Sequence, residues 1–295
     1  MKVKMMVASL ALVSRAVARA PVAGDLSELP MPSSRRYARP RRRSRRRRPA
    51  HVAGCRIDRL DMEATLTRCE ELIAAGGPAQ HVAINAAKLV AMQRDEELRE
   101  IVSDCELVSA DGQAVVWASR LLGDPLPARV AGIDLMHELL GLSERKGYRV
   151  FILGARQEVL EQAVASAYDM YPGLQLAGAR DGYFDDDEAE DVAEEIRAAD
   201  ADILFVAMPS PKKEYWLARY SAQIDVPFVM GVGGSVDVLA GQTRRAPRWL
   251  QRAGLEWFYR LVQEPRRMFG RYLFGNLRFC MLVLRYFVFG RPRQA

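Results

Sequence analysis

The chain has 295 residues, 49% of them hydrophobic and 27% charged, which excludes a disordered polymer and allows one large or two modest globular domains. Its net charge of +6 hides a segregation: residues 1–50 carry 14 Lys and Arg against 2 acids, residues 244–295 carry 12 against 2, and the stretch between has 17 against 33. Basic ends suit an anionic partner, such as a phospholipid surface or a diphosphate, whereas an acidic body repels nucleic acid. The four cysteines are scattered, with no CxxC spacing and no histidine cluster beside them, which argues against a zinc site and fits a reducing compartment.

In chain order, Lys2 and Lys4 precede an apolar run, Met5 to Val13, in the manner of a signal peptide, but Arg15 and Arg19 lie between that run and the cleavage-like Ala18-Arg19-Ala20. Residues 1–54 read as a low-complexity basic extension, expected to be disordered because it can bury almost nothing. It is either a tether to anionic lipid or RNA, or dispensable.

From Asp58 the pattern predicts a short strand or turn, then a helix with Met62, Leu66, Cys69, Leu72 and Ile73 on its apolar face, ended at Gly76-Gly77-Pro78. His81 to Asn85 is a strand that closes on a polar amide, and a helix follows from Ala86. Glu106 to Ala110 is the next strand and delivers Asp111-Gly112, after which a helix starts at Gln113. A loop from Pro125 to Arg129 leads to a helix over Ile133 to Lys146.

The second half repeats the alternation. Strands are expected at Arg149 to Leu153, Leu174 to Ala177, Ile203 to Met208 and Val226 to Val232, with helices at Gln157 to Tyr171, Asp185 to Ala199 and Lys212 to Ser221. Strands of about five residues between helices of ten to fifteen indicate an α/β fold, a Rossmann-like parallel sheet with helices on both faces. Ligands of such sheets bind outside the carboxyl ends of the strands. That rule places Asn85, Asp111, Gly154, Pro209 to Glu214 and Gly233 to Asp237 on one rim. The domain reading is a basic extension at 1–54, an α/β catalytic domain at 55–243 and a basic, aromatic, amphipathic helical appendage at 244–295.

After the last strand come Gly231, Gly233, Gly234 and Asp237, then Arg244-Arg245-Ala-Pro-Arg248 and the phrases GLEWFYRL and EPRR. Glycine lets main-chain amides approach an anion and arginine offers a forked donor, so the stretch suits a diphosphate; a turn followed by an amphipathic helix reads it equally well. The glycine turn with its Asp, RAP-x-W at Arg245 to Trp249, and GLEW-x-YRL followed by EPRR and RY resemble the C-terminal signature of the WecG/TagA/CpsF family of bacterial glycosyltransferases. The resemblance covers roughly Cys55 to Phe279.

It implies a metal-independent, inverting transfer of a sugar from a UDP-sugar to a polyprenyl-diphosphate-linked saccharide, in cell-surface polysaccharide or exopolysaccharide synthesis. The sugar would be N-acetylmannosamine, its uronic acid, glucuronic acid or similar. The protein would be cytoplasmic and peripheral on the inner face of the cytoplasmic membrane, with no cofactor beyond the UDP-sugar substrate.

The same resemblance assigns residues. SADGQAVVW is similar to the family's DG motif, which makes Asp111 the proposed base beside Gly112; from spacing alone Asp111 caps the helix at Gln113. Asn85 stands where the family has a Thr-x-Asn pair, with Ala83 in the threonine's place. ARVAGIDL is similar to R-x-x-G-x-D-L, putting Arg129 near the substrate and Asp134 at the cap of the next helix. MPSPKKEYW resembles a loop usually written Pro-x-Gln-Glu, with Lys213 in place of glutamine beside Glu214. Gly233, Gly234 and Asp237 complete the substrate-binding set. Arg245, Arg260, Arg266, Arg267 and Arg271 are expected to face a diphosphate or a membrane.

Two other readings stay open: an RNA-associated basic protein and a membrane scaffold without turnover. Asp185-Asp186-Asp187 contains a DxD string, read here as the charged start of a helix. The arginine and aromatic tail is read as lying at the membrane interface, with packing on the protein's own core or a homo-oligomer contact as alternatives.

Overall fold

The computed structural model describes residues 48–252, 254–263 and 265–290, the side chains at 252, 260 and 265–274 excepted. The expected basic extension up to residue 47, with its signal-like start, lies outside the described residues.

The described chain opens with a hairpin, β1 (Ala50–Val52) and β2 (Cys55–Ile57), paired antiparallel. Its two-residue turn, Ala53 and Gly54, has positive φ at both positions, the geometry that matches strand twist. The extension was expected to run through residue 54, yet Ala50 and Val52 are fully buried. The composition of residues 1–48 hides this short strand.

Six parallel strands follow: β3 (Ala79–Ile84), β4 (Leu107–Ala110), β5 (Arg149–Gly154), β6 (Gln175–Arg180), β7 (Ile203–Ala207) and β8 (Phe228–Gly231). Their spatial order is β4-β3-β8-β7-β5-β6. The strands in the middle of that order are apolar on both faces because helices cover both. All carboxyl ends therefore open on one edge, and β3 lies between β4 and β8, in register at His81–Leu107 and His81–Met230.

The helices are α1 (Met62–Ala74), α2 (Ala86–Ala91), α3 (Glu96–Asp104), α4 (Gln113–Leu121), α5 (Gly132–Lys146), α6 (Gln157–Met170), α7 (Ala189–Ala198), α8 (Lys212–Ile224), α9 (Ser235–Leu239), α10 (Arg248–Arg252), α11 (Glu256–Gln263) and α12 (Pro265–Phe289). The helix predicted from Ala86 is two helices, because Asp95 accepts the N–H of Leu98 and starts α3 anew. The acidic helix starts at Ala189; Asp185 to Asp187 lie in the turn before it, where Asp185 donates its N–H to Glu188.

The C-terminal helix α12 packs on α2 and the hairpin. Phe279, Leu282 and Val283 are buried in one apolar cluster with Val52, Ile57, Leu89 and Val116. Gly54 lets Tyr286 approach: a Cβ there would stand 2.8 Å from the tyrosine hydroxyl. Opposite this buried face, Leu277, Met281, Leu284 and Val288 are exposed. At 3.6 residues per turn the two apolar stripes are about 180° apart. Among the described residues no helix is long and apolar enough to cross a membrane.

Candidate active site

Strand β4 ends at Ala110 and hands the chain to Asp111, whose N–H donates to Ile84 O of β3 at 2.9 Å. Asp111 does not cap α4; Gly112 takes that place without a side-chain bond. Its Oδ1 instead accepts the N–H of Gly132, the first residue of α5, at 3.0 Å. The half-buried carboxylate thus pins α5 to the rim. Burial pushes its pKa above the ordinary carboxylate value, against the Gly132 bond, Arg129 and Lys88, while Glu256 adds to the rise.

Asn85 stands beside it at the end of β3, and its Oδ1 is committed to α2, accepting the N–H of Lys88 at 3.0 Å. Gly112 lies against Asn85: a Cβ on it would be 3.6 Å from Asn85 Cα. The glycine turn after β8 is two strand spacings from Asp111, about 10 Å along the same edge. Gly233 has φ +51 with open space around it. Its N–H and that of Ser235 donate to Val206 O (3.4 Å) and Val232 O (3.1 Å). Fewer amides therefore face outward than the glycine count suggests. Gly234 precedes α9, and Asp237 lies in its first turn, where its carbonyl accepts from Gln242 and Thr243.

Arg129 reaches into the C-terminal segment: its Nη1 lies 2.7 Å from Glu256 Oε2 in α11. Arg245 donates to the other oxygen of Glu256 at 3.4 Å and to both oxygens of Asp134, at 2.5 and 2.7 Å. Asp134 therefore pairs with an arginine in the first turn of α5 and is not its cap, which is Ala131. Arg129, Arg248, Gln113 and Gln251 line an open cleft of about 360 Å³. Two guanidiniums and two amides make it a donor-rich wall, and one of them, Arg129, is near enough to Asp111 to pull its pKa down.

Lys213 and Glu214 lie inside the fold, at 8% and 1% exposure, not on the open rim. Glu214 Oε1 accepts from Lys88 at 2.7 Å and lies 3.2 Å from Lys213 Nζ. Two ammonium groups on one carboxylate leave a formal excess of +1. Burial alone would raise the Glu214 pKa, but Lys88 and Lys213, with Ser210, hold it below its ordinary value. Burial and the nearby Lys88 lower that of Lys213. His81, also buried, shares a 2.9 Å hydrogen bond with Ser109 and is pushed down to about 3 by burial and Lys88, so it stays neutral. Lys213 was expected to touch substrate; its stem runs beneath Gly231 toward Glu214, inside the fold.

Among the described residues, no group of His, Cys, Asp and Glu converges to hold a metal. The backbones of Arg260, Arg266, Arg267 and Arg271 are helical, but their side chains lie outside the described residues. Glu256 and Lys88 were missed by sequence reasoning. Each pairs with a residue well over a hundred positions away, and only the phrase GLEW marked the first.

A family model described as "Glycosyl transferase WecG/TagA/CpsF family" matches residues 50–293. The chain is similar to the N-acetylglucosaminyldiphosphoundecaprenol N-acetyl-beta-D-mannosaminyltransferase of Bacillus subtilis (strain 168), 36% identical over 184 residues, 62% of this chain and 71% of that protein. It is also similar to the protein of that name from Bacillus spizizenii (strain ATCC 23059 / NRRL B-14472 / W23), 37% identical over 167 residues, 57% of this chain and 64% of that one.

Proposed function

The chain belongs to the WecG/TagA/CpsF family of glycosyl transferases, and we propose that it moves N-acetylmannosamine from UDP to N-acetylglucosamine carried on a polyprenyl diphosphate. The donor and acceptor sugars follow the names of the two similar proteins. The observation that carries the reading is the carboxylate of Asp111 on the carboxyl edge of the sheet, beside the arginine-lined cleft.

Asp111 takes the proton of the acceptor hydroxyl. The freed oxygen attacks the anomeric carbon from the face opposite UDP, the carbon–oxygen bond to the diphosphate breaks, and the anomeric configuration inverts. Burial raises the pKa of Asp111, which strengthens its carboxylate as a base. Arg129 and Arg248 meet the charge gathering on the leaving diphosphate, in the manner of preformed electrostatic stabilisation. Arg260, Arg266, Arg267 and Arg271 belong to the same proposal, and no step is assigned to a metal. Lys88, Lys213 and Glu214 support the rim from below and do not touch substrate. Gly233, Gly234 and Asp237 border the donor end.

The exposed stripe of α12, flanked by Arg278 and Arg285, lies along the cytoplasmic membrane surface and brings the cleft to the lipid-linked acceptor. The test is release of UDP from UDP-N-acetylmannosamine with the lipid-linked acceptor present. No release with this or any other UDP-sugar, from a folded protein, overturns the reading.

A further inference from the structure

Four charges of alternating sign, Arg129, Glu256, Arg245 and Asp134, join the catalytic body at Arg129 and Asp134 to the C-terminal segment at Glu256 and Arg245. Glu256 is the only one carried by α11, and it bonds both arginines. Arg129 is the member that also lines the cleft, and a guanidinium has five N–H donors, so one bond to Glu256 leaves others for a ligand. The pair is partly shielded, at 16% and 29% side-chain exposure, and so is less screened than a surface pair.

We infer that Glu256 is a positioning residue: it fixes the guanidinium of Arg129 against the cleft and fastens α11 beside Asp111. The inference rests on the transferase reading for its kinetic arm alone. The charged groups around Asp111 are Arg129, Lys88 and Glu256, the two cations pulling its pKa down and Glu256 pushing it up.

The experiment compares Glu256→Gln, Glu256→Asp and Arg245→Gln with the unmodified chain, by pH–rate profile and by amide hydrogen exchange. In Glu256→Gln the acidic limb of kcat/KM is expected to move to lower pH, and kcat/KM to fall about tenfold, the scale of one charged hydrogen bond. Glu256→Asp is expected to recover part of both changes. Exchange is expected to accelerate in α11 and not in β3 or β4, in both Glu256→Gln and Arg245→Gln. An unmoved limb with unchanged exchange in α11 overturns the inference. If the unmodified chain turns over no UDP-sugar, the transferase reading fails, and the exchange arm still decides the latch.

Discussion

The side chain of Lys213 runs so close beneath Gly231 that a Cβ on the glycine would stand 2.7 Å from Lys213 Cε. The last central strand can therefore carry no side chain at this point without moving the lysine out of the cluster around Glu214. Gly231→Ala is expected to destabilise the fold by about 1–3 kcal/mol, the usual scale of overpacking. Shortening the lysine in Gly231→Ala/Lys213→Gln is expected to return part of that loss. Urea unfolding of both variants, with unchanged m-values, checks it.

Asp111→Asn keeps an oxygen for the Gly132 N–H and loses the base. Its thermal unfolding is expected to stay close to that of the unmodified chain, while kcat falls by about 10²–10⁴-fold. Near-normal kcat would remove Asp111 from the mechanism.

The unmodified enzyme is expected to lose kcat/KM as pH falls through a value above the ordinary 3.8 of an aspartate, because the folded state raises this pKa. The sign follows from the base being active only when ionised. A limb at or below 3.8 contradicts it.

His81 gives stability its own acid dependence. Its folded pKa is held down to about 3 from an ordinary 6.5, so between those values the unfolded chain binds a proton that the folded one refuses. Stability is expected to fall with acid across that window, by at most about 1.4 kcal/mol per pH unit from this group. Glu214, with its lowered pKa, adds to the loss below its ordinary 4.5. Denaturant titrations of the unmodified chain and His81→Gln at several pH values are expected to show a shallower slope in the variant.

Met281→Glu/Leu284→Glu changes two exposed positions of α12, at 54% and 59% exposure, so the fold is expected to survive. Co-sedimentation with vesicles containing anionic lipid is expected to drop severalfold, since two apolar anchors become charges of the lipid's own sign. Binding that stays unchanged would assign the stripe to another contact.

The sheet was legible because its strands announce themselves: ILFVA and the run from Val226 are short, apolar and bounded by polar turns, as a strand covered on both faces must be. The position of Asp111 followed from the same rule, since a polar residue directly after such a strand sits on the edge. What it bonds to was not legible. Spacing points to the adjacent helix α4, whereas the Gly132 amide is brought in by the loop from Arg129. Glu256 and Lys88 were hidden for a related reason: an ion pair across the fold leaves no local periodicity. The inward turn of Lys213 was not legible because a lysine in a loop phrase reads as solvent-facing, and only its packing beneath Gly231 beside Glu214 reveals it. The hairpin was lost beside arginine-rich sequence that dominates any composition window.

The closure of Tyr286 over Gly54 joins segments that are remote along the chain, and such contacts form late because the intervening polymer must first be ordered. A nascent body without α12 shows the cell a bare greasy floor, Val52 and Leu89 included, for chaperones or proteases to find. The contacts that cover this floor are thus the same ones that hold the C-terminal helix to the body.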